Sequence, residues 1–361
     1  MRNIGQRGKA TLVVGLFFLL SLGIVVLFAP GTQAAEVIRW KGQSIYSSSG
    51  VPYGPFKVGE IDLWPGVKDW SEWLTRATGG RLVIEWAEPN TIFPSADSDT
   101  AVGKGVVDIS ACWGGYYSAR IPEAAIESGI PFGWENVLQE YESLYRYGLF
   151  EVIQQAYLEK NIVWFPRQSS AWIGITTTFP APNSGSIKGK KIRAPGSWGE
   201  YIKMLGGVPT NVPVGEMYMG MKLGTFDGVV GGSAFLQTYK LKEVAKGFVY
   251  QPPITTAMGN YLISKRSFDR LPKDIQDILM KDARYAGLSS AAHWDAQCTW
   301  VLKNAEKEYG IKMYAWSPED IAKVTKMTVE QLFPKLAAPT PRCARMIEII
   351  KAQMKDMGRI D

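Results

Sequence analysis

The sequence predicts an α/β protein of two similar lobes, and three observations carry the prediction. Helix, glycine stop and short strand recur in that order along the chain. "KGVVDISA" (104–111) and "LGTFDGVV" (223–230) share glycine, two residues, aspartate and an apolar run, each after a helix-like segment. Finally, the chain is too long for one core. Its 361 residues open with Arg2, Arg7 and Lys9, an apolar block over 10–29 and "PGTQAAE", the order of a secretory signal. Residues 1–35 are read as a signal peptide cleaved near Ala35. An uncleaved anchor is the alternative, since the block approaches the ~20 residues that cross a bilayer. Removal leaves 326 residues, above the ~250–300 at which a single core stops growing.

The elements follow in order. Val67, Trp70, Leu74 and Ala77 recur at three and four residues, a helix with one apolar face stopped by Gly79-Gly80 before the strand "RLVIEW" (81–86). In "GKKIRAPGSWGEY" (189–201), Ile192 and Ala194 suggest a short buried strand that Pro195-Gly196 ends, with a helix after Ser197. Arg193 therefore stands at a strand end that meets a turn. "EYIKMLGG" (200–207) stops at its glycines before "VPTNVPV" (208–214). Residues 271–310 give a long helix opened by Pro272, and Ser317-Pro318-Glu319-Asp320 caps another. Strand pairing should be mainly parallel and the last third helical. The expected lobes are 36–165 with 252–340 (lobe I) and 166–251 (lobe II), followed by a C-terminal helix over 341–361.

Composition excludes several function classes. The formal charge of +6 falls to +3 once Arg2, Arg7 and Lys9 leave, spread without basic blocks, which argues against a nucleic-acid or lipid-surface partner. Cys112, Cys298 and Cys343 match no redox or zinc spacing; one pair could close, and Cys112, inside apolar "VVDISACW", reads as structural. His293 is the single histidine, on a long helix beside Trp294, so no zinc cluster exists. Nucleophile-elbow, Walker and dinucleotide motifs are missing. "DSDT" (97–100) lacks the glycine and distal glutamate of a calcium loop and reads as a solvated helix start. Glu140 and Glu142 read as helix surface. No enzyme is nominated.

The chain does carry aromatic residues where strands pass into helices, the place α/β proteins put ligands. Trp113, Tyr116, Tyr117, Phe132, Trp134, Trp164, Trp172, Trp198 and Tyr218 all lie in or beside such segments. Trp172 and Trp198 flank the segment that holds Arg193.

Together "GKKIRAPG", "LGGVPTNVPVGEMYMGMKLGTFDGVV" and "LKEVAKGF" resemble the solute receptors of tripartite ATP-independent periplasmic (TRAP) transporters of the DctP type. The likeness extends through "AVGKGVVDIS", "GIPFGW" and "NYLISKRSFDRLPKDIQDIL", most of the mature chain. It implies a two-lobed periplasmic-binding-protein-like (type II) fold with a hinge, mixed sheets in each lobe and long C-terminal helices. It also implies a periplasmic receptor, not an enzyme, that captures an organic monocarboxylate between its lobes and delivers it to the membrane subunits of a TRAP permease. In this family the arginine of the G-x-K-x-R motif, here Arg193, grips the ligand carboxylate. A guanidinium is always charged and its planar fork matches two carboxylate oxygens, which lysine cannot do. Tyr116 and Tyr117 match the tyrosine run of the 2-oxoacid-binding branch. Trp113, Trp172, Trp198, Phe132, Met217, Gly231 and Gly232 are the remaining expected ligand contacts.

Departures refine the expectation. Sialic-acid-binding relatives carry a second arginine fourteen residues earlier, where this chain has Phe179, so one carboxylate contact is expected. The 2-oxoacid branch uses a Glu-Trp pair to hold a cation and the ligand where Val230 and Gly231 stand here. No cofactor is expected, and a bound cation would lack that carboxylate. Loss of the tryptophan at Gly231-Gly232-Ser233 should open room and Trp172 should add an apolar wall, which together suit a bulky, aromatic or alicyclic acid. A small 2-oxoacid or lactate receptor, a receptor of an ATP-driven (ABC) importer and an exported carboxylate-processing enzyme are the alternatives. Met346, Ile349, Ile350 and Met354 form an apolar stripe on the last helix, which either pairs two copies as a homodimer or lies on its own lobe.

Overall fold

The computed structural model describes residues 36–46, 57–58, 61–62 and 67–360, with backbone alone at 57–58, 61–62, 69, 167–172, 283–286, 289 and 293. The signal peptide and the side chains of Trp172 and His293 lie outside the described residues. The described residues from Ile38 onward form one compact unit. No helix among the described residues is long and apolar enough to cross a membrane.

The first half of the chain builds one group of strands. β1 (Ile38–Ser44) is followed by a small antiparallel pair, β2 (Lys57–Val58) with β3 (Ile61–Asp62), then α1 (Val67–Ala77) and β4 (Leu82–Ala87). Trp70 and Leu74 of α1 are fully buried and Ala77, at the helix end, is exposed. α2 (Ser98–Gly103) precedes β5 (Ile109–Cys112), and α3 (Ala124–Glu127), α4 (Val137–Tyr145) and α5 (Leu149–Leu158) lead to β6 (Ile162–Thr177). The second group contains β7 (Lys191–Arg193), α6 (Ser197–Met204), β8 (Val208–Thr210), α7 (Met217–Lys222), β9 (Gly228–Gly232), α8 (Phe235–Thr238) and β10 (Gly247–Gln251). β11 (Thr255–Ser264) returns to the first group, followed by α9 (Lys265–Asp269), α10 (Lys273–Tyr309), β12 (Lys312–Ala315), α11 (Pro318–Met327), α12 (Phe333–Ala337) and α13 (Pro341–Asp356).

The expected mixed pairing is present, but the two groups share a single ten-stranded sheet in the order β4-β1-β5-β11-β6-β9-β7-β8, with β10 on β6 and β12 on β10. Pairs β1–β4, β1–β5, β7–β8, β7–β9 and β10–β12 are parallel, as βα repetition dictates. Each antiparallel pair in the main sheet involves β6 or β11. The reason is length: the 16 residues of β6 reach about 50 Å at ~3.3 Å per residue. Its first part pairs β11 and its last part pairs β9 and β10. The register of β11 breaks between Gly259 and Asn260, opposite Pro166, which has no N–H to give.

α10 likewise serves both groups. Its Ile275 and Leu279 join the core with Trp70, Phe165 and Tyr261, while Val301 and Ala305 join the core with Met217, Phe226 and Phe248. Its 37 residues correspond to about 55 Å of helix. Ser317 caps α11 as expected, accepting from the Asp320 N–H. On α13, Met346, Ile349, Ile350 and Met354 are all buried within this chain. These four side chains therefore pack within this chain.

Two expectations are corrected. Glu140 is fully buried, not helix surface, and Glu142 is half-buried beside Arg146. Asp99 is not solvated: it is buried and paired with Arg120, which also reaches toward Asp97 at 3.6 Å. The pairing of the cysteines, left open by the sequence, is resolved: all three are free and buried.

Candidate carboxylate site

Arg193 ends β7, and the sequence around it explains its place. Ile192 fills the core, Pro195 and Gly196 stop the strand, and α6 starts at Ser197. The side chain is 1% exposed. Its Nε donates to the Val212 carbonyl at 3.0 Å and one Nη donates to the Tyr116 hydroxyl at 2.9 Å. Among the described residues no carboxylate lies within ion-pair distance of it. A buried cation is expensive unless an anion compensates it. This one is held by a carbonyl and a phenol, leaving part of its fork for an anion.

Tyr116 brings the first strand group to that arginine. Its hydroxyl also accepts from the Val214 N–H at 3.0 Å, so one oxygen joins the turn after β5 to two points of the second group. The Trp113 ring meets Tyr116 edge-on at 5.5 Å and Trp198 at 4.7 Å. Trp198 Nε1 and Ser197 Oγ both donate to the Gly129 carbonyl, at 2.8 and 3.1 Å. Gly196, at φ 62°, lies so near Gly115 that a Cβ there would come 3.1 Å from the Gly115 Cα. Glycine is needed for both the backbone angle and the approach. The two turns are in contact, with Arg193 and Tyr116 beside the seam. Tyr116→Phe leaves two donors short of an acceptor, which costs ~1–3 kcal/mol. The expected result in a titration is an affinity about tenfold lower for the captured acid; unchanged affinity would remove the bridging role.

Beside Tyr116 opens a cavity of about 450 Å³, lined by Ile45, Tyr46 and Tyr116 on one side and Val214, Glu216 and Tyr239 on the other. The sequence reading missed Tyr46, Tyr239 and the backbone groups of Val212 and Val214. Tyr46 had a signal, since it stands two residues past the C-terminal end of β1. Burial pushes its phenol well above the usual range, and the nearby Tyr239 and Tyr116 add to that.

Of the expected contacts, Arg193, Tyr116, Trp113 and Trp198 come together here. Tyr117 does not: it is fully buried and faces Cys112, Tyr157 and Asn260. Met217 packs in the core with Met221, Phe226 and Phe248. Phe132 is buried against Tyr201 at 5.8 Å. Gly231 and Gly232 lie on β9 against β6, and a Cβ on Gly231 would come 2.5 Å from the Phe235 ring. The room expected from the lost tryptophan is thus filled by Phe235, four residues on. Trp172 lies in β6, its side chain outside the described residues.

No three His, Cys, Asp or Glu side chains among the described residues are grouped to hold a metal ion. Val230 is buried among apolar side chains. Among the described residues there is therefore no carboxylate set for a cation.

The fold has counterparts among known proteins. A monocarboxylate 2-oxoacid-binding periplasmic protein of Nostoc sp. is 28% identical over 228 residues, 62% of this chain and 62% of that protein. The match thus spans a little under two thirds of that relative's length. A TRAP periplasmic solute-binding protein of Pseudoalteromonas atlantica, with bound sodium and pyruvate, has the same fold at TM-score 0.78 and 20% identity, covering 90% of this chain and 95% of that one. So does a TRAP transporter solute-binding protein of Bordetella bronchiseptica, a mixed-occupancy dimer with copurified calcium and picolinate, at TM-score 0.78 and 18% identity, covering 90% and 93%. The family model for the bacterial extracellular solute-binding protein family 7, DctP, matches residues 63–337. That match runs from before α1 through α12, with β4 to β12 and the Arg193 turn included, and the chain belongs to this family.

Proposed function

We propose that the protein is the periplasmic solute receptor of a TRAP transporter, which captures an organic monocarboxylate at Arg193 and delivers it to the permease subunits. The observation that carries this reading is a buried guanidinium with no acid partner among the described residues, held by Tyr116 across the seam between two strand groups. The ligand carboxylate would complete the arginine fork. Closing the groups around it excludes water and strengthens the ion pair. The role is binding and release, without a chemical step.

A bulky acid, aromatic or alicyclic, is the finer proposal. Its support is now the 450 Å³ cavity beside Tyr116, with aromatic walls in Tyr46, Tyr116 and Tyr239, rather than space at Gly231. The similarity to the 2-oxoacid-binding Nostoc protein favours a second reading, a small 2-oxoacid. Mass spectrometry of acid released from the purified protein, followed by calorimetry with benzoate, picolinate and pyruvate, separates the two. Tighter binding of pyruvate than of both aromatic acids would reject the bulky-acid proposal. No binding of any acid, with none released, would reject the receptor reading.

A further inference from the structure

Against the turn that carries Tyr116 lies a buried carboxyl group that makes no contact with Arg193. Glu127 ends α3 and is fully buried. Its Oε1 accepts from the Tyr157 hydroxyl at 3.0 Å and from Asn260 Nδ2 at 2.9 Å, and its Oε2 accepts from Trp164 Nε1 at 3.1 Å. Those donors sit on α5, β11 and β6, so one carboxyl joins both long crossing strands to a helix. Asn260 stands where β11 breaks register against Pro166. Its Oδ1 accepts from Cys112 Sγ at 3.0 Å and from the Tyr117 hydroxyl at 3.3 Å. On the other side, Glu127 meets the turn that carries Tyr116: a Cβ on Gly114 would lie 2.1 Å from Oε1. The turn rests on the carboxyl group.

This chain of hydrogen bonds has two directions. With Glu127 ionised, Tyr157 donates to it. With Glu127 protonated, Glu127 donates to Tyr157, Tyr157 donates to Tyr117 at 3.3 Å, and Tyr117 donates to Asn260. Tyr117 is the chain neighbour of Tyr116. Burial pushes the other titratable members, Tyr117, Tyr157 and Cys112, far up. Burial also pushes Glu127 up to about 8, against the pull of its three hydrogen bonds, with Glu140 of α4 adding like charge. Between pH 6 and 9.5, Glu127 is the member of this network that changes charge.

We propose that Glu127 is a positioning residue of the capture site: its carboxyl seats the Gly114–Tyr116 turn against the irregularity in the crossing strands, and its negative charge, when present, opposes an anion at Arg193. The inference rests on the reading of Arg193 as the carboxylate contact.

Two measurements on the purified protein test it. Calorimetry with pyruvate, picolinate and benzoate from pH 6 to 9.5 should show the affinity of the binding acid falling several-fold around a midpoint near 8, and Glu127→Gln should flatten the profile. Without any acid, the Nε–H cross-peak of Arg193 in a ¹H–¹⁵N spectrum, protected by burial, should move with the same midpoint and stay fixed in Glu127→Gln. A pH-independent cross-peak in the wild type, or the same titration in Glu127→Gln, overturns the proposal. If none of the three acids binds, the Arg193 reading fails while the cross-peak still decides the role of Glu127. Should Glu127→Gln not fold, Tyr157→Phe removes a hydrogen bond that favours the carboxylate and must move the midpoint up; an unmoved midpoint overturns the proposal. Thermal unfolding adds a sign. With the folded value raised from 4.5 to about 8, stability from this group is fully present below 4.5 and lost as pH rises through 8. The wild-type Tm should fall more steeply from pH 5 to 8 than that of Glu127→Gln.

Discussion

Arg193→Met abolishes tight capture: carboxylate affinity falls by about 30-fold to several thousand-fold, the ~2–5 kcal/mol that truncation of one partner of a buried charge pair costs. Methionine preserves much of the apolar stem and removes the charge, so packing loss does not blur the result. The ligand-free protein should not lose stability, because a buried cation without an acid partner among the described residues is itself a cost. The gain in Tm that the acid gives the wild type should vanish. Calorimetry and thermal unfolding on the same samples check both halves. Binding within threefold of wild type would take the arginine out of the site.

Trp70→Ala has the largest expected effect on stability, about 3–5 kcal/mol. Trp70 is fully buried, stacks on Tyr261 of β11 at 4.3 Å and donates from Nε1 to Asp282 of α10 at 2.6 Å. It thereby fixes α1 to a crossing strand and to the longest helix at once. Truncation leaves a cavity and removes one donor from a buried carboxylate. Urea unfolding followed by circular dichroism measures it. A loss under 1 kcal/mol would mean that α1 docks through other residues.

What the sequence makes legible, and what it hides, follows from the range of the forces involved. Arg193 was readable because its signals are local: an apolar strand, a proline–glycine stop and a helix start fall within a few residues. Trp70 and Leu74 were readable from helical periodicity, and the long helix from Pro272 and its uninterrupted helix-forming stretch. Tyr116 and Tyr117 are neighbours with opposite fates, because a tight turn points one toward Arg193 and the other into the core. Nothing in "YY" separates them. The filling of the Gly231 space by Phe235 is a tertiary fact, as is the burial of Met217. The antiparallel role of β6 and β11 was hidden because βα repetition announces only the parallel pairs. Glu127, in "EAAIESG", is indistinguishable from a solvated helix end until Asn260, 133 residues later, is placed beside it. Local signals placed Arg193 at a strand end and the family resemblance proposed it as the anion contact; long-range packing decides which residues surround it.

A buried guanidinium with no acid partner among the described residues should select for negative charge. Calorimetry with matched acids and primary amides, benzoate against benzamide, picolinate against picolinamide and pyruvate against pyruvamide, tests it most directly. The preferred acid should bind at least 100-fold more tightly than its amide, about 2.7 kcal/mol, and the difference should collapse in Arg193→Met. Equal affinity for acid and amide in the wild-type protein would contradict it.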